Sequence, residues 1–140
     1  MTSSKPKNEE GIEFTDALYR ENILDHYRNP RNFGRIDKAD AEFHGNNPIC
    51  GDEIELTLKI SAGKIMDARF MGRGCAVSQS AASMLTERII GMPVKEALRL
   101  SRDDIIEMMG ISPNPTRLKC ALLSLKVMEG AFAKLQGKTQ

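Results

Sequence analysis

The sequence predicts an α+β domain: a three-stranded antiparallel sheet with helices packed on one face. Three observations carry this. Segments 39–43, 54–60 and 66–70 alternate apolar and polar residues with the period of a half-buried strand. The chain turns helical from Cys75 onward. The stretch "SAGK" between the second and third of these segments holds a glycine able to take positive φ, which joins them as a hairpin. A sheet that is apolar on one side needs a cover, and the later helices supply it.

Taken in order, residues 1–13 have neither the apolar run of a secretory signal nor the acid-poor character of a transit peptide, and read as a disordered leader on a cytoplasmic protein. The domain is expected over 14–136. Its first helix is "FTDALYRENILDHYRNP", with Phe14, Ala17, Leu18, Ile23, Leu24 and Tyr27 as the apolar positions and Pro30 beyond its end. The strands carry Ala39, Ala41 and Phe43, then Ile54, Leu56, Leu58 and Ile60, then Met66, Ala68 and Phe70. Four helical segments follow: "CAVSQSAASMLTERII", "VKEALRL", "RDDIIEMM" and "PTRLKCALLSLKVMEGAFAKLQ". In the last, Asn114 is the expected N-cap and Pro115 the first helical residue. Leu118, Ala121, Leu122, Leu125, Met128 and Phe132 form its apolar stripe, with Cys120 off the centre and a second row at Leu123 and Val127.

Composition narrows the function. The 140 residues are 41% hydrophobic and 28% charged, and the formal net charge is +1, without the basic stripe of a nucleic-acid binder. No apolar run reaches the length of a membrane span. Three widely separated cysteines do not suit a disulfide framework, so reduced thiols are expected, able to bind metal or carry sulfur.

The hairpin serves as a ruler. Opposed residues share a face, so a turn centred near 62–63 makes paired residue numbers sum to about 124 or 126. Extended outward, either register sets Cys50 opposite Gly74 or Ala76, beside Cys75. Asp52 has the parity of Ile54 and points to the helix-covered side, with Gly51 keeping a side chain out of the gap. Two readings stay open for Cys50 and Asp52: polar residues at a strand end, or two ligands of one metal. Cys75 follows "GRG" and opens a helix, where backbone N–H groups and the positive helix end suit a charged sulfur. Sequence alone does not bring Cys120 to this place. Three thiolates and one carboxylate would make a tetrahedral set for Zn²⁺ or for a [2Fe–2S] cluster, with a site charge of about −2 in either case. Basic neighbours Arg73, Arg117 and Lys119 would relieve that charge. His26 is read as structural and His44 as a surface residue.

The segments "LYRENILDHYRNPRNFG", "NNPICGDEI", "GRGCAVSQSAASMLTE" and "PTRLKCALLSLK" resemble the U-type iron–sulfur cluster assembly family, which includes IscU, SufU and the N-terminal domain of NifU. The resemblance runs from about Leu18 to Phe132. It implies that Cys50, Asp52, Cys75 and Cys120 converge as ligands of a transient [2Fe–2S] cluster or of Zn²⁺. It also implies that sulfur arrives as persulfide from a cysteine desulfurase, with Cys50 or Cys120 as acceptor, and that iron–sulfur acceptor or carrier proteins take the product. Arg117 and Lys119 are expected to serve the desulfurase encounter and the charge balance. "PTRLKCA" is similar to the SufU pattern, with Lys119 where the IscU branch has histidine. The insertion of about twenty residues typical of SufU-like chains is absent between Met109 and Pro115. "PNPTR" replaces the chaperone-recognition pattern of the IscU branch, which speaks against an Hsp70-type partner. Two functions follow: a cluster scaffold, or a zinc-bound sulfurtransferase.

Overall fold

The computed structural model describes residues 5–7, 9–48, 51–110 and 115–138, with side chains placed for 18–48, 51–110 and 118–135. Residues 5–7 and 9–10, expected to lack structure, form a short ladder, β1 (Lys5–Lys7) and β2 (Glu9–Glu10), in which each lysine faces a glutamate. Helix α1 (Gly11–Arg28) follows. The sheet is antiparallel, in the order β3 (Ala41–Asn47), β4 (Asp52–Ser61), β5 (Lys64–Arg73).

The β4–β5 register is the one that sums to 126: Leu56 faces Phe70, Leu58 faces Ala68, and Glu53 faces Arg73. Ala62 (φ 52°) and Gly63 (φ 77°) both turn left-handed, the requirement of a two-residue hairpin whose twist matches its strands. Next to this turn the ladder slips between Lys59 and Ile60, so Ile60 faces Ile65. The slip reverses the parity expected there: Ile65 is buried and Met66 lies 55% exposed.

Helices cover the even-numbered face. Helix α2 (Ala76–Ile89) packs on β5, and α5 (Pro115–Lys138) packs on β3 and β4. Helix α1 lies against α2, while α3 (Val94–Ala97) and α4 (Arg102–Met109) lead into α5. Ser101 and Asp104 cap α4 reciprocally. The expected apolar face of α1 is buried only in part: Ile23 packs against the core, Leu18 and Tyr27 are exposed, and the polar His26 is buried beside Ile23. His26 takes that place because it has partners on α2, with Nδ1 2.7 Å from Ser83 Oγ and Nε2 3.7 Å from Glu87. The other sheet face is crossed by the segment between α1 and β3. Asn32 and Gly34 exchange backbone hydrogen bonds with Phe70 at the edge of β5, and Arg35 pairs with Glu55 and Glu42. Ile36 N–H then reaches Thr57 Oγ1, and Asp40 N–H joins Leu58.

Helix α5 begins at Pro115 as expected; Asn114 lies outside the described residues. It is buried on more than one side. Ala121, Leu125, Met128 and Phe132 form the core stripe, and Cys120, Leu123 and Val127 are buried as well. That second row faces β3, where a Cβ added at Gly45 would sit 2.8 Å from Val127, and one added at Gly130 would sit 2.7 Å from the Phe43 ring. Two glycines thus let helix and strand approach closely.

Candidate metal and sulfur site

Asp52 opens β4 on its inward face and is 1% exposed. Gly74 and Cys75 follow the last residue of β5, on the partner strand. Cys75 is the N-cap of α2: its Sγ accepts from Ser78 N–H at 3.5 Å, and its own N–H donates to Asp52 Oδ1 at 3.0 Å. A Cβ at Gly74 would overlap Asp52 Oδ1 and Ser78 Oγ, so only glycine lets the carboxylate lie against the helix start.

Cys120 arrives from the other side, along the seam of α5 and β3. Gly130 meets Phe43 and Val127 meets Gly45, so the helix runs antiparallel to the strand. From Gly130 back to Cys120 is about 15 Å of helix, and from Phe43 on to Asn47 about 13 Å of strand. Asn47 is paired with Asp52, so the seam delivers Cys120 to the carboxylate. Cys75 Sγ, Cys120 Sγ and a carboxylate oxygen of Asp52 all lie within 4.8 Å of one another, with Cys75 exposed and Cys120 buried. The Cys75 Sγ to Asp52 Oδ2 distance is 3.9 Å. Two ligands on one tetrahedral zinc or iron sit about 3.6–3.8 Å apart, so small side-chain movements would close this set on a metal. Two sulfurs and one oxygen suit those borderline metals. A carboxylate so deeply buried carries a desolvation penalty that a bound cation would offset.

Of the other expected site residues, Cys50 lies outside the described residues, as does the Arg117 side chain; Lys119 is exposed. On the near side of Cys50, Gly51 N–H donates to the Asn47 carbonyl at 2.8 Å. Gly51 has a φ of 75°, the left-handed region that favours glycine, and nothing beyond its chain neighbours lies within 4 Å of a Cβ built there. Arg73 does not face the cluster. Its odd-numbered parity puts it on the opposite sheet face, where it pairs with Glu53 at 2.7 Å. The Arg73 guanidinium, and then His44 at 3.0 Å, hold the Glu53 carboxyl below its ordinary range. His44 is thus a surface partner of Glu53, and neither histidine belongs to the ligand group.

One residue escaped the sequence reading. Gln79, on α2, is 8% exposed, and its Nε2 has no hydrogen-bond partner among the described residues. The available signal was its spacing, one helical turn after Cys75 in a helix buried along most of its length.

Among the described residues no helix is long and apolar enough to cross a membrane. The family model for the NifU-like N terminal domain matches residues 18–140. The chain is 40% identical to a protein of Bacillus subtilis named zinc-dependent sulfurtransferase SufU, over 87% of this chain and 94% of that one. It is 38% identical to the iron–sulfur cluster assembly scaffold protein IscU of Thermotoga maritima, over 84% of this chain and 94% of that one. Among solved structures it is similar to one from Fervidobacterium islandicum described as a proposed cluster assembly scaffold for the SUF system, with a TM-score of 0.71 and 31% identity over 82% of this chain and 96% of that one. With the matched model spanning most of its length, the chain belongs to the NifU-like N-terminal domain family.

Proposed function

We propose that this protein is a scaffold for iron–sulfur cluster assembly, which accepts sulfur from a cysteine desulfurase, holds a labile [2Fe–2S] cluster and passes it to acceptor proteins in the cytoplasm. The observation that carries this is the buried Asp52 carboxylate set between two cysteine sulfurs. An oxygen ligand among sulfurs holds soft or borderline metals less firmly than another thiolate would, which suits cargo meant to leave. The working unit is the single domain expected over 14–136, and the proposed ligands are Cys50, Asp52, Cys75 and Cys120.

The chain's own groups perform three tasks. Asp52 fixes Cys75 through its backbone N–H, while the thiol itself lies exposed. Ser78 N–H donates to that sulfur and stabilises charge on it. Sulfur enters by thiolate attack of Cys50 or Cys120 on the outer sulfur of the desulfurase persulfide. The new S–S bond forms as the old one breaks, and the desulfurase cysteine leaves as thiolate, so no external oxidant or reductant is consumed. Cys120 is 5% exposed, so attack through it requires the start of α5 to move. Arg117 and Lys119 flank this point and are proposed to meet the desulfurase.

A second reading, a zinc-bound sulfurtransferase, is favoured by the likeness to the Bacillus subtilis protein of that name. Cys50, Asp52, Cys75 and Cys120 would then hold Zn²⁺, which would keep the thiolates organised for sulfur transfer. Anaerobic purification followed by iron, sulfide and zinc analysis, with X-ray absorption at the bound metal, tests both. Iron with acid-labile sulfide supports the scaffold, and zinc without sulfide supports the transferase. A metal shell lacking sulfur would overturn both.

A further inference from the structure

Among the described residues, Gln79 Nε2 is the buried side-chain nitrogen or oxygen that lacks a hydrogen-bond partner. A buried amide donor left unmade weakens a fold unless an acceptor meets it in some working state. Its location says which acceptor. Gln79 stands one turn after Cys75, its backbone N–H donating to the Cys75 carbonyl at 3.1 Å, and residues four apart share a helix face. Side chains on a helix lean toward its N-terminus, so the Gln79 amide is carried back toward the Cys75 end of α2, where Asp52 and Cys120 also converge. Neither the Cys75 sulfur nor the Asp52 carboxylate satisfies it there. An acceptor brought by what the site binds would meet it.

We propose that Gln79 Nε2 donates a hydrogen bond to the non-protein sulfur bound at this site, whether a cluster sulfide or the terminal sulfur of a cysteine persulfide. The inference rests on the sulfur-handling reading given above. It gives the site a means of telling sulfur-bearing cargo from a bare metal ion, because zinc alone brings no such acceptor. Hydrogen bonds to cluster sulfurs are an established means of tuning a cluster's stability and potential.

The test is Gln79→Met, which keeps the length and volume of the side chain and removes the donor, with Gln79→Leu as a second variant should the first fold poorly. Three quantities are compared with wild type: zinc affinity by chelator competition, half-life of a reconstituted cluster under chelator, and half-life of protein-bound persulfide under a small thiol. The expected result is zinc affinity within about twofold of wild type, with the lifetime of at least one sulfur-bearing state shortened about fivefold to tenfold. The arm that shortens identifies the acceptor as sulfide or as persulfide. Unchanged sulfur lifetimes overturn the proposal. So does a parallel loss of zinc affinity, which would make Gln79 a support for ligand geometry alone. Should wild-type protein retain neither sulfide nor persulfide, the sulfur-handling reading falls, and this one with it.

Discussion

Asp52 is the residue on which the two functional readings diverge. In a scaffold it is the weak ligand through which solvent or an acceptor thiol reaches the cluster, so Asp52→Ala should slow cluster release and leave more cluster on the purified protein. In a zinc sulfurtransferase the same change removes a charged ligand, so zinc stoichiometry and persulfide transfer should fall together. Cluster half-life and zinc content measured on this one variant give opposite signatures; if neither moves, Asp52 is not a ligand. His26 carries a prediction about pH. Burial foremost, then the Arg31 charge, lowers its pKa below the ordinary 6.5, while Glu87 and Asp25 oppose this. The folded state therefore binds that proton less readily than the unfolded chain. The contribution of neutral His26 to stability is complete above about pH 6.5 and is lost as pH falls toward the lowered value. Asp25 and Asp104, also lowered, act in a separate window below their ordinary 3.8. Thermal midpoints measured from pH 8 to 5 should fall in the wild type and stay nearly level in His26→Gln. Parallel curves would show that the burial of His26 does not govern this pH dependence.

The seam between α5 and β3 is the element-scale feature that makes the site. Ala is a better helix former than Gly by about 1 kcal/mol, so Gly130→Ala would stabilise an exposed helix. Here the added methyl meets the Phe43 ring, and overpacking costs about 1–3 kcal/mol. We expect net destabilisation in urea, weaker zinc binding because Cys120 is displaced along with the helix, and partial recovery of both in Gly130→Ala/Phe43→Leu. Full independence of the two substitutions would disprove the seam as the device that positions Cys120. The same element shows what the sequence could and could not reveal. Pro115 as a helix start, Cys75 as a helix opener and a hairpin sum of 124 or 126, of which the structure takes 126, were legible, because each depends on neighbours a few residues away. Cys120 was not. Its face became meaningful only once α5 was known to lie antiparallel along β3, and the sequence does not state that direction. The burial of Ile65 in place of Met66 escaped for a related reason, since parity reasoning assumes an unbroken ladder and this one slips beside the turn.

At the scale of the molecule, the three proposed ligands among the described residues belong to the start of the central strand, the start of α2 and the first turns of α5, elements far apart in the chain. Metal bound there would join the sheet to both covering helices. Zinc at a hundred times its dissociation constant should therefore stabilise the protein by about 2.7 kcal/mol, provided that the unfolded chain does not bind it. Thermal melts with zinc and with chelator check this, and a midpoint that ignores both would show that no ion ties these elements together. The fold class was legible at this scale because three alternating segments followed by helices admit few arrangements. The crossing of the outer sheet face by residues 32–40 was not, since nothing in its composition says which face a connection takes. The placement of Cys120 near the beginning of α5 has a further consequence. Ends of helices fray at far lower free energy than cores unfold. If Cys120 is a ligand as proposed, one arm of the metal site would be able to open while the sheet and the remainder of α5 stay folded. Handover by local opening would then have a rate nearly indifferent to core substitutions that lower global stability, provided that they leave the first turns of α5 intact.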